Sequence, residues 1–204
     1  MERKEKYKKA CIIIMFLMAF SAFLFCLIYS TMFNAMQFLF LSLCILFPLL
    51  INIIFKLKIP FYLIFVYMFF LVAHFIMGEI LNFYVFVSYY DTMLHYLSAI
   101  CICFLGFHIS NYTLKDNIIY KIAFSFMFGM SAEFLWEILE YSIDHFCNTN
   151  MQRFIKDGII LVGHMALYDT IKDMIVALSG CMTFVIVLLL FLKRKKIRPT
   201  SFKY

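Results

Sequence analysis

Residues 118–141 decide the fold and read IIYKIAFSFMFGMSAEFLWEILEY. This run is longer than the about 20 residues that an α-helix needs to cross the hydrocarbon core of a bilayer. Acidic residues nevertheless occur in its second half, at Glu133, Glu137 and Glu140. Together with Asp144 they fall within about 60° of one another around a helix. Because carboxylates are costly in lipid, this face is predicted to point into a bundle of helices.

The composition of the whole chain agrees with this interpretation. The chain is 65% hydrophobic and only 15% charged, which favours a membrane protein over a soluble domain. We predict an all-α, polytopic transmembrane helical bundle in contact with the lipid bilayer, and a single integral membrane domain over residues 1–204. The predicted spans are 10–30, 35–55, 60–81, 91–109, 118–141 and 169–192. The first span is expected to be retained rather than cleaved as a signal peptide, because its apolar run is long.

The charged residues are sorted by side of the membrane. With both termini in the cytosol, nearly all of the 18 Lys and Arg fall on the cytosolic side and most of the 12 acids on the outer side. The positive-inside rule therefore predicts an N-in/C-in topology. It also explains the net charge of +6 without a nucleic-acid partner. The exceptions are the outer bases Arg153, Lys156 and Lys172 and the cytosolic acids Glu2, Glu5 and Asp116.

The outer connection between the last two spans, residues 142–168, is too long for a plain loop. Its middle, residues 158–163, is apolar but too short to span, so it is predicted to be re-entrant or to lie at the interface. Six of the seven cysteines lie inside predicted spans, and only Cys147 lies in this connection. That distribution argues against a disulfide framework.

Four residues lie well inside their spans, where an isolated charge is expensive. They are His95, Glu133, Glu137 and Asp173. Several carboxylates in one low-dielectric site cannot all stay ionised without a cation. The sequence therefore predicts either a bound divalent metal, of an identity that it does not specify, or carboxyl groups that share protons. Structural polar packing without a ligand stays open as a third interpretation.

Under the metal hypothesis, the predicted ligands are His95, Glu133, Glu137 and Asp173, since helical bundles build metal sites from inward carboxylates and His. The candidate catalytic carboxylates are Glu137, Glu140 and Asp91. The candidate substrate-binding residues are Arg153, Lys156 and Asp169.

Each of these residues also has a structural interpretation. Asp91 and Asp169 can be helix caps, since both begin predicted spans. Glu140 and Asp144 can reach interfacial water. Lys172 is predicted to be a poor partner for Asp173, because consecutive residues point about 100° apart on a helix.

In the third span, His74 is predicted to be a hydrogen-bonded histidine of the bundle. His74 and Glu79 are five residues apart, which puts them on different faces of an α-helix.

Three motifs resemble those of the YjdF-like bacterial inner-membrane family and, more distantly, of VanZ-like membrane proteins. They are Asp91-Thr-Met-Leu-His95, Glu133-x-x-Trp136-Glu137-x-x-Glu140, and Asp169-Thr170-x-x-Asp173 followed by Gly180. The resemblance covers roughly residues 74–180. It implies a six-helix, multi-pass protein of the bacterial cytoplasmic (inner) membrane, but no settled activity.

Three functions fit these observations. The first is a metal-dependent hydrolase or transferase acting on a lipid-linked or phosphorylated substrate, in which metal-activated water attacks the substrate. The second is a non-catalytic ligand-binding or resistance-type protein. The third is a proton or cation transporter, which is disfavoured because the predicted cytosolic halves of the spans hold no acid to continue a pathway. The sequence does not identify the substrate or a protein partner.

Overall fold

The structure is a computed structural model that describes residues 2–29, 32–55, 59–114, 117–156 and 158–194. Within these ranges, six helices are long and apolar enough to cross a membrane. The predicted all-α, polytopic fold is therefore confirmed, whereas the N-in/C-in orientation stays a prediction. Bases at 56, 58, 115 and 195–198, on which that orientation partly depends, lie outside the described residues. The six candidate spans are Lys9–Tyr29, Gln37–Ile54, Phe61–Ile80, Tyr90–Thr113, Ile118–Cys147 and His164–Arg194.

The backbone contacts group the chain into two compact units, residues 1–88 and 89–204. The prediction of a single membrane domain is not tested by this grouping. The first unit holds α1 (Glu2–Tyr29), α2 (Met32–Phe55), α3 (Phe61–Leu71), which continues as a π-helix (Val72–Ile80), and the short α4 (Phe83–Phe86). The second unit holds α5 (Tyr90–Thr113), α6 (Ile118–Cys147), β1 (Ile155–Lys156), β2 (Ile159–Ile160) and α7 (His164–Arg194).

In the first unit, α1 packs on α2 and α2 packs on α3. Pro48 lies inside α2 and has no N–H group. It therefore cannot donate the helical hydrogen bond that the Cys44 carbonyl would otherwise accept. The Tyr67 hydroxyl of α3 donates to that carbonyl at 2.8 Å. A side chain of the neighbouring helix thus supplies the donor that the proline removes.

The C-terminal part of the third span is a π-helix rather than an α-helix, over Val72–Ile80. Its hydrogen bonds join residues five apart, so His74 and Glu79 share a face. The prediction that these two residues lie on different faces is wrong, because it assumed α-helical geometry. His74 Nδ1 is hydrogen-bonded to the Tyr84 hydroxyl, which confirms the prediction of a hydrogen-bonded histidine. The Glu79 carboxylate accepts a bond of 3.0 Å from Gln37 Nε2.

In the second unit, α5, α6 and α7 pack against one another in all three pairs. The core cluster where these helices meet is small-residue rich, with Ala99, Cys103, Ala177 and Cys181 all fully buried. At Gly180, an added Cβ atom would lie 2.5 Å from the Tyr96 carbonyl oxygen. Close backbone approach through small residues is the usual way in which transmembrane helices pack.

The helices of the second unit extend beyond the apolar runs that predicted them. Helix α5 continues to Thr113, so the predicted loop from 110 to 117 is shorter than expected. Helix α6 continues to Cys147 and therefore includes Asp144. Helix α7 begins at His164, not at 169. Asp169 consequently lies in the second turn, and its interpretation as a helix cap is wrong. The same interpretation is wrong for Asp91, which lies inside the first turn of α5, because the N-cap of that helix is Tyr89.

The long connection between α6 and α7 contains a two-stranded antiparallel ribbon. Ile155 pairs with Ile160, and Lys156 pairs with Ile159. The side chains of both strands are exposed. The apolar segment 158–163 thus forms the turn and second strand of this ribbon and not a re-entrant helix. Its location at the membrane interface stays a prediction.

Candidate functional site

The predicted acidic stripe of α6 is buried along its whole length. Glu133, Glu137, Glu140 and Asp144 are between 4% and 7% exposed. The expectation that this face points into the bundle is confirmed. Helix α5 adds Asp91 and His95, and α7 adds Asp173; all three are buried. We call Asp91, His95, Glu133, Glu137 and Asp173 the acidic site.

His95 lies at the centre of the acidic site. Its Nδ1 atom is 3.1 Å from Glu133 Oε2. Its Nε2 atom is 3.7 Å from Asp91 Oδ1 and 3.9 Å from Glu137 Oε1. The imidazole therefore has one carboxylate on one edge and two on the other. The predicted proximity of His95 to Glu133 and Glu137 is confirmed by these distances.

Glu133 has hydrogen-bonding partners on both carboxylate oxygens. Ser98 Oγ donates to Oε1 at 2.7 Å, and His95 Nδ1 contacts Oε2. A carboxylate that accepts the Nδ1–H of a histidine fixes its tautomer and leaves the Nε2 lone pair for another partner. Ser98 is not among the predicted site residues, although it lies one turn after His95, on the face that Asp91 and His95 share.

Three residues of the acidic site lie close enough together to hold a metal ion. One ligand atom from each of Asp91, His95 and Asp173 can be chosen so that all three lie within 4.8 Å of one another. Glu133 is a predicted ligand and Asp91 a predicted catalytic group. The geometry favours Asp91 as the ligand in place of Glu133, because both Glu133 oxygens already have hydrogen-bonding partners. The role of each residue stays a prediction.

Two buried carboxylate oxygens in the described part of the chain have no hydrogen-bond partner, Glu137 Oε1 and Asp173 Oδ1. Glu137 and Asp173 are only 5% and 2% exposed. Each oxygen has a nitrogen within 4 Å, His95 Nε2 for Glu137 and Lys172 Nζ for Asp173, but neither contact is a hydrogen bond. Buried acceptors without donors are costly and call for an explanation, such as a bound ion.

Two bases lie beside the acidic site, Arg153 and Lys172, which we call the basic pair. Lys172 Nζ is 2.7 Å from Asp169 Oδ1, 3.4 Å from Asp173 Oδ1 and 4.0 Å from Asp91 Oδ2. The prediction that Lys172 is a poor partner for Asp173 is wrong. It considered only the direction of the Cα–Cβ bond and neglected the reach of a four-carbon side chain.

Arg153 comes from the connection and contacts two helices. Its Nη2 atom is 3.5 Å from Asp91 Oδ2, and its Nε atom is 3.8 Å from Asp169 Oδ2. The structure thus brings Arg153 and Asp169 together, as expected for two residues predicted to act on one substrate. Lys156, the third predicted substrate-binding residue, lies exposed on β1 and takes part in none of the ion pairs found among the described residues.

Asp144 holds the start of the connection in place. Its Oδ1 atom accepts from the Thr149 hydroxyl and, at 2.7 Å, from the Met151 amide. Its Oδ2 atom accepts from the Gln152 amide at 2.9 Å. The next residue, Arg153, has a φ of 50°, which non-glycine residues rarely adopt. Asp144 is therefore a residue that positions Arg153, a role that the helical periodicity could not indicate.

Glu140 is hydrogen-bonded within its own helix. Trp136 Nε1 donates to Glu140 Oε1 at 2.7 Å, across one helical turn. The indole N–H is thus directed at a carboxylate in addition to any packing role. Among the three candidate catalytic carboxylates, Glu137 is the one with a fully buried oxygen that lacks a hydrogen-bond partner in the described residues.

Comparison with known proteins agrees with this membrane architecture. A family model described as "Predicted membrane protein (DUF2238)" matches residues 10–194. The chain belongs to the DUF2238 family. The DUF2238 match includes every residue of the acidic site and the basic pair. The finer likeness to YjdF-like proteins stays a prediction.

One relative of this DUF2238 protein is an uncharacterised protein of Thermotoga maritima. It is 29% identical over 112 residues, which is 54% of this chain and 53% of that protein. The chain therefore spans about half the length of this curated relative. No solved structure matches the chain at a significant level.

Proposed function

We propose that the acidic site binds a divalent metal ion and that the protein is a metal-dependent hydrolase or transferase of a lipid-linked or phosphorylated substrate. One observation carries this proposal. Asp91, His95 and Asp173 offer ligand atoms within 4.8 Å of one another, beside a buried Glu137 oxygen that lacks a hydrogen-bond donor. A bound cation would give that carboxylate oxygen the positively charged partner that it lacks. Carboxylates with one imidazole suit Mg, Mn, Ca, Zn or Fe.

The proposed division of labour follows from the contacts. Asp91, His95 and Asp173 hold the ion, and Glu133 holds the His95 tautomer through Nδ1. When bound, the ion polarises a phosphoryl or carbonyl oxygen and activates water. The basic pair lies next to Asp91 and can orient an anionic group of the substrate. Glu137 can serve as a fourth ligand or as the acceptor of a proton from water.

The proposal also gives the activity a cellular location. The multi-pass architecture puts the acidic site within membrane-spanning helices. The resemblance to YjdF-like proteins implies the bacterial cytoplasmic membrane, and the sorting of bases predicts that the site lies in the outer halves of the helices. Substrates would reach the acidic site from the outer leaflet or from the space outside it.

The first experiment tests the metal. Elemental analysis of the purified protein should find a stoichiometric divalent ion, which Asp173→Asn should lose because that change removes a ligand charge. Lys193→Gln, which removes an exposed base in the last turn of α7, is the matched control and should retain the ion. A ligand at a hundredfold excess over its dissociation constant stabilises by about 2.7 kcal/mol. A chelator should therefore lower the melting temperature in detergent.

The second experiment tests catalysis and separates the two roles of Glu137. Glu137→Gln should either lose the metal, as a ligand would, or retain it and reduce turnover by about 10²- to 10⁴-fold, as a general base would. The assay is release of product from a panel of phosphorylated lipids, with metal content measured on the same samples. The proposal is contradicted if the folded protein neither contains nor takes up a divalent ion and its melting temperature does not change with chelator.

A non-catalytic binding protein is the second candidate function. The observation in its favour is that the basic pair is partly exposed, with 33% and 27% of the Arg153 and Lys172 side chains accessible. Such a pair can capture an anion without any reaction. Stoichiometric metal and tight anion binding, with no turnover of any substrate in the panel, would select this function over the enzyme.

A further inference from the structure

Asp91 joins the acidic site to the basic pair. Its Oδ1 atom is 3.7 Å from His95 Nε2. Its Oδ2 atom is 3.5 Å from Arg153 Nη2 and 4.0 Å from Lys172 Nζ. One carboxylate therefore serves as a candidate metal ligand and as the counter-ion of two bases. A cation bound to Oδ1 offsets the negative charge of Asp91 and therefore weakens its attraction for the basic pair.

We infer that the site takes a divalent cation and a phosphate group together, and that Asp91 couples the two by exchanging its partner Arg153 for the cation. This inference rests on the proposed metal site and names the chemical class of the substrate, a phosphate ester or free phosphate. The exchange leaves the Arg153 guanidinium directed at the phosphate instead of at Asp91. Arginine suits this role because its fork binds two phosphate oxygens at once.

The distances indicate that Arg153, rather than Lys172, changes partner. Charge-assisted hydrogen bonds between nitrogen and carboxylate are about 2.7–2.9 Å long. Arg153 lies 3.5 Å from the Asp91 carboxylate and 3.8 Å from the Asp169 carboxylate, outside that range, and a third of its side chain is exposed. Lys172 is 2.7 Å from Asp169, within that range. Its strongest partner is not a candidate metal ligand, so a cation at Asp91 leaves that ion pair intact.

Electrostatics makes each ligand depend on the other. Without a cation, a phosphate beside Arg153 would also lie next to Asp91 and Asp169, two like charges that oppose its binding. Without phosphate, a cation must compete with Arg153 for Asp91. With both present, the cation neutralises the carboxylates and the phosphate neutralises the guanidinium. Coupling energies between sites typically correspond to about 5- to 150-fold changes in affinity.

The test measures Mn²⁺ binding to the full-length protein in detergent, with and without phosphate. One arm uses inorganic phosphate, and the other uses micelles containing phosphatidic acid, with diacylglycerol micelles as the neutral control. We expect phosphate to tighten Mn²⁺ binding about tenfold. A response in the lipid arm alone identifies a headgroup, and a response in the inorganic arm identifies free phosphate. Mn²⁺ should tighten phosphate binding by the same factor, because coupling is reciprocal.

Arg153→Gln separates this coupling from a structural role. Because the substitution removes the competitor for Asp91, it should bind Mn²⁺ more tightly than wild type in the absence of phosphate. It should also lose the response to phosphate. Lys193→Gln, which removes an exposed base in the last turn of α7, is the matched control and should behave as wild type in both respects. A variant damaged in folding would bind Mn²⁺ more weakly, the opposite direction.

Three results overturn the inference and are distinguishable from one another. If Mn²⁺ binds with the same affinity whatever phosphate is added, the coupling is wrong and the proposed metal site stands. If phosphate tightens Mn²⁺ binding equally in wild type and in Arg153→Gln, phosphate contacts the metal directly and Arg153 has no part in it. If folded wild type binds no Mn²⁺ in any arm, the proposed function falls as well.

Discussion

The hydrogen bond from Tyr67 to the Cys44 carbonyl should compensate for Pro48, and this can be measured. Inside a bilayer no water can replace a missing donor, so a backbone carbonyl left without a partner is costly. Pro48 removes the helical donor for that carbonyl, and Tyr67 lies 2.8 Å away on the next helix. Tyr67→Phe removes only the hydroxyl and retains the ring that packs between the helices.

The expected cost of Tyr67→Phe is about 1–3 kcal/mol, the penalty for leaving a buried acceptor unsatisfied. For a chain of this size that lowers the melting temperature by about 2–4 °C per kcal/mol. In a Pro48→Ala background, the amide of residue 48 can donate to the Cys44 carbonyl. The same Tyr67→Phe change should then cost less than about 1 kcal/mol, near the net value of one ordinary hydrogen bond.

The assay is a double-mutant cycle, with unfolding in mixed micelles followed by circular dichroism. The cycle isolates the coupling between the hydroxyl and the proline, since other effects of each substitution cancel. Tyr120→Phe is the matched control, because it removes the same group from a side chain that is 65% exposed. Equal losses from Tyr67→Phe in the proline and alanine backgrounds would refute the compensation, because the bond would then have no link to Pro48.

Three further predictions concern the second unit and the topology. Gly180→Ala should destabilise by about 1–3 kcal/mol, because its Cβ would lie 2.5 Å from a backbone oxygen. Gly106→Ala should cost less in the same melting assay, because its Cβ would lie 3.0 Å from the Phe128 Cβ, a wider separation than the 2.5 Å at Gly180. Glu133→Gln should weaken metal binding by about 10- to 100-fold in equilibrium dialysis, as losses of such supporting contacts do; unchanged affinity would mean that Glu133 does not orient His95. Reporter fusions after Phe86 and Gly158 should read outside and one after Leu114 inside, and any opposite signal would invalidate the N-in/C-in assignment.

The helices were predictable because the bilayer fixes their length and requires apolar side chains. The residues at which the helices begin and end were not predictable. Ser110 to Thr113 continue α5 although they are polar, since a helix can extend past the hydrocarbon core into water. His164 begins α7 five residues before Asp169 for the same reason. Hydropathy detects the apolar middle of a span and has no signal for where the backbone hydrogen bonds stop.

The candidate site was predictable within each helix but not between helices. The four-residue spacing of Asp91 and His95 indicates a shared face, and the structure places their side chains 3.7 Å apart. Which nitrogen of His95 faces which carboxylate depends on how α5 and α6 pack, and no periodicity contains that information. The position of Arg153 beside the site could not be predicted from helical periodicity either, because a non-helical loop held by Asp144 determines it.

The packing of the second unit explains how three separate helices hold one site together. One helical turn from the acidic site, each helix carries a buried small residue: Ala99 follows His95 by four, Ala177 follows Asp173 by four, and Gly129 precedes Glu133 by four. The Gly129 site has no room for a methyl group, because an added Cβ would lie 2.5 Å from the sulfur of Cys103. Small residues allow the helix axes to approach closely. The acidic-site residues, one turn away on the same faces, are then directed into the same space between the helices.

The distance between His95 and Asp173 therefore depends on side chains that take no part in any chemistry. A larger residue in this layer should separate the acidic groups before it unfolds the bundle, so metal affinity should respond to such a change more sharply than the melting temperature.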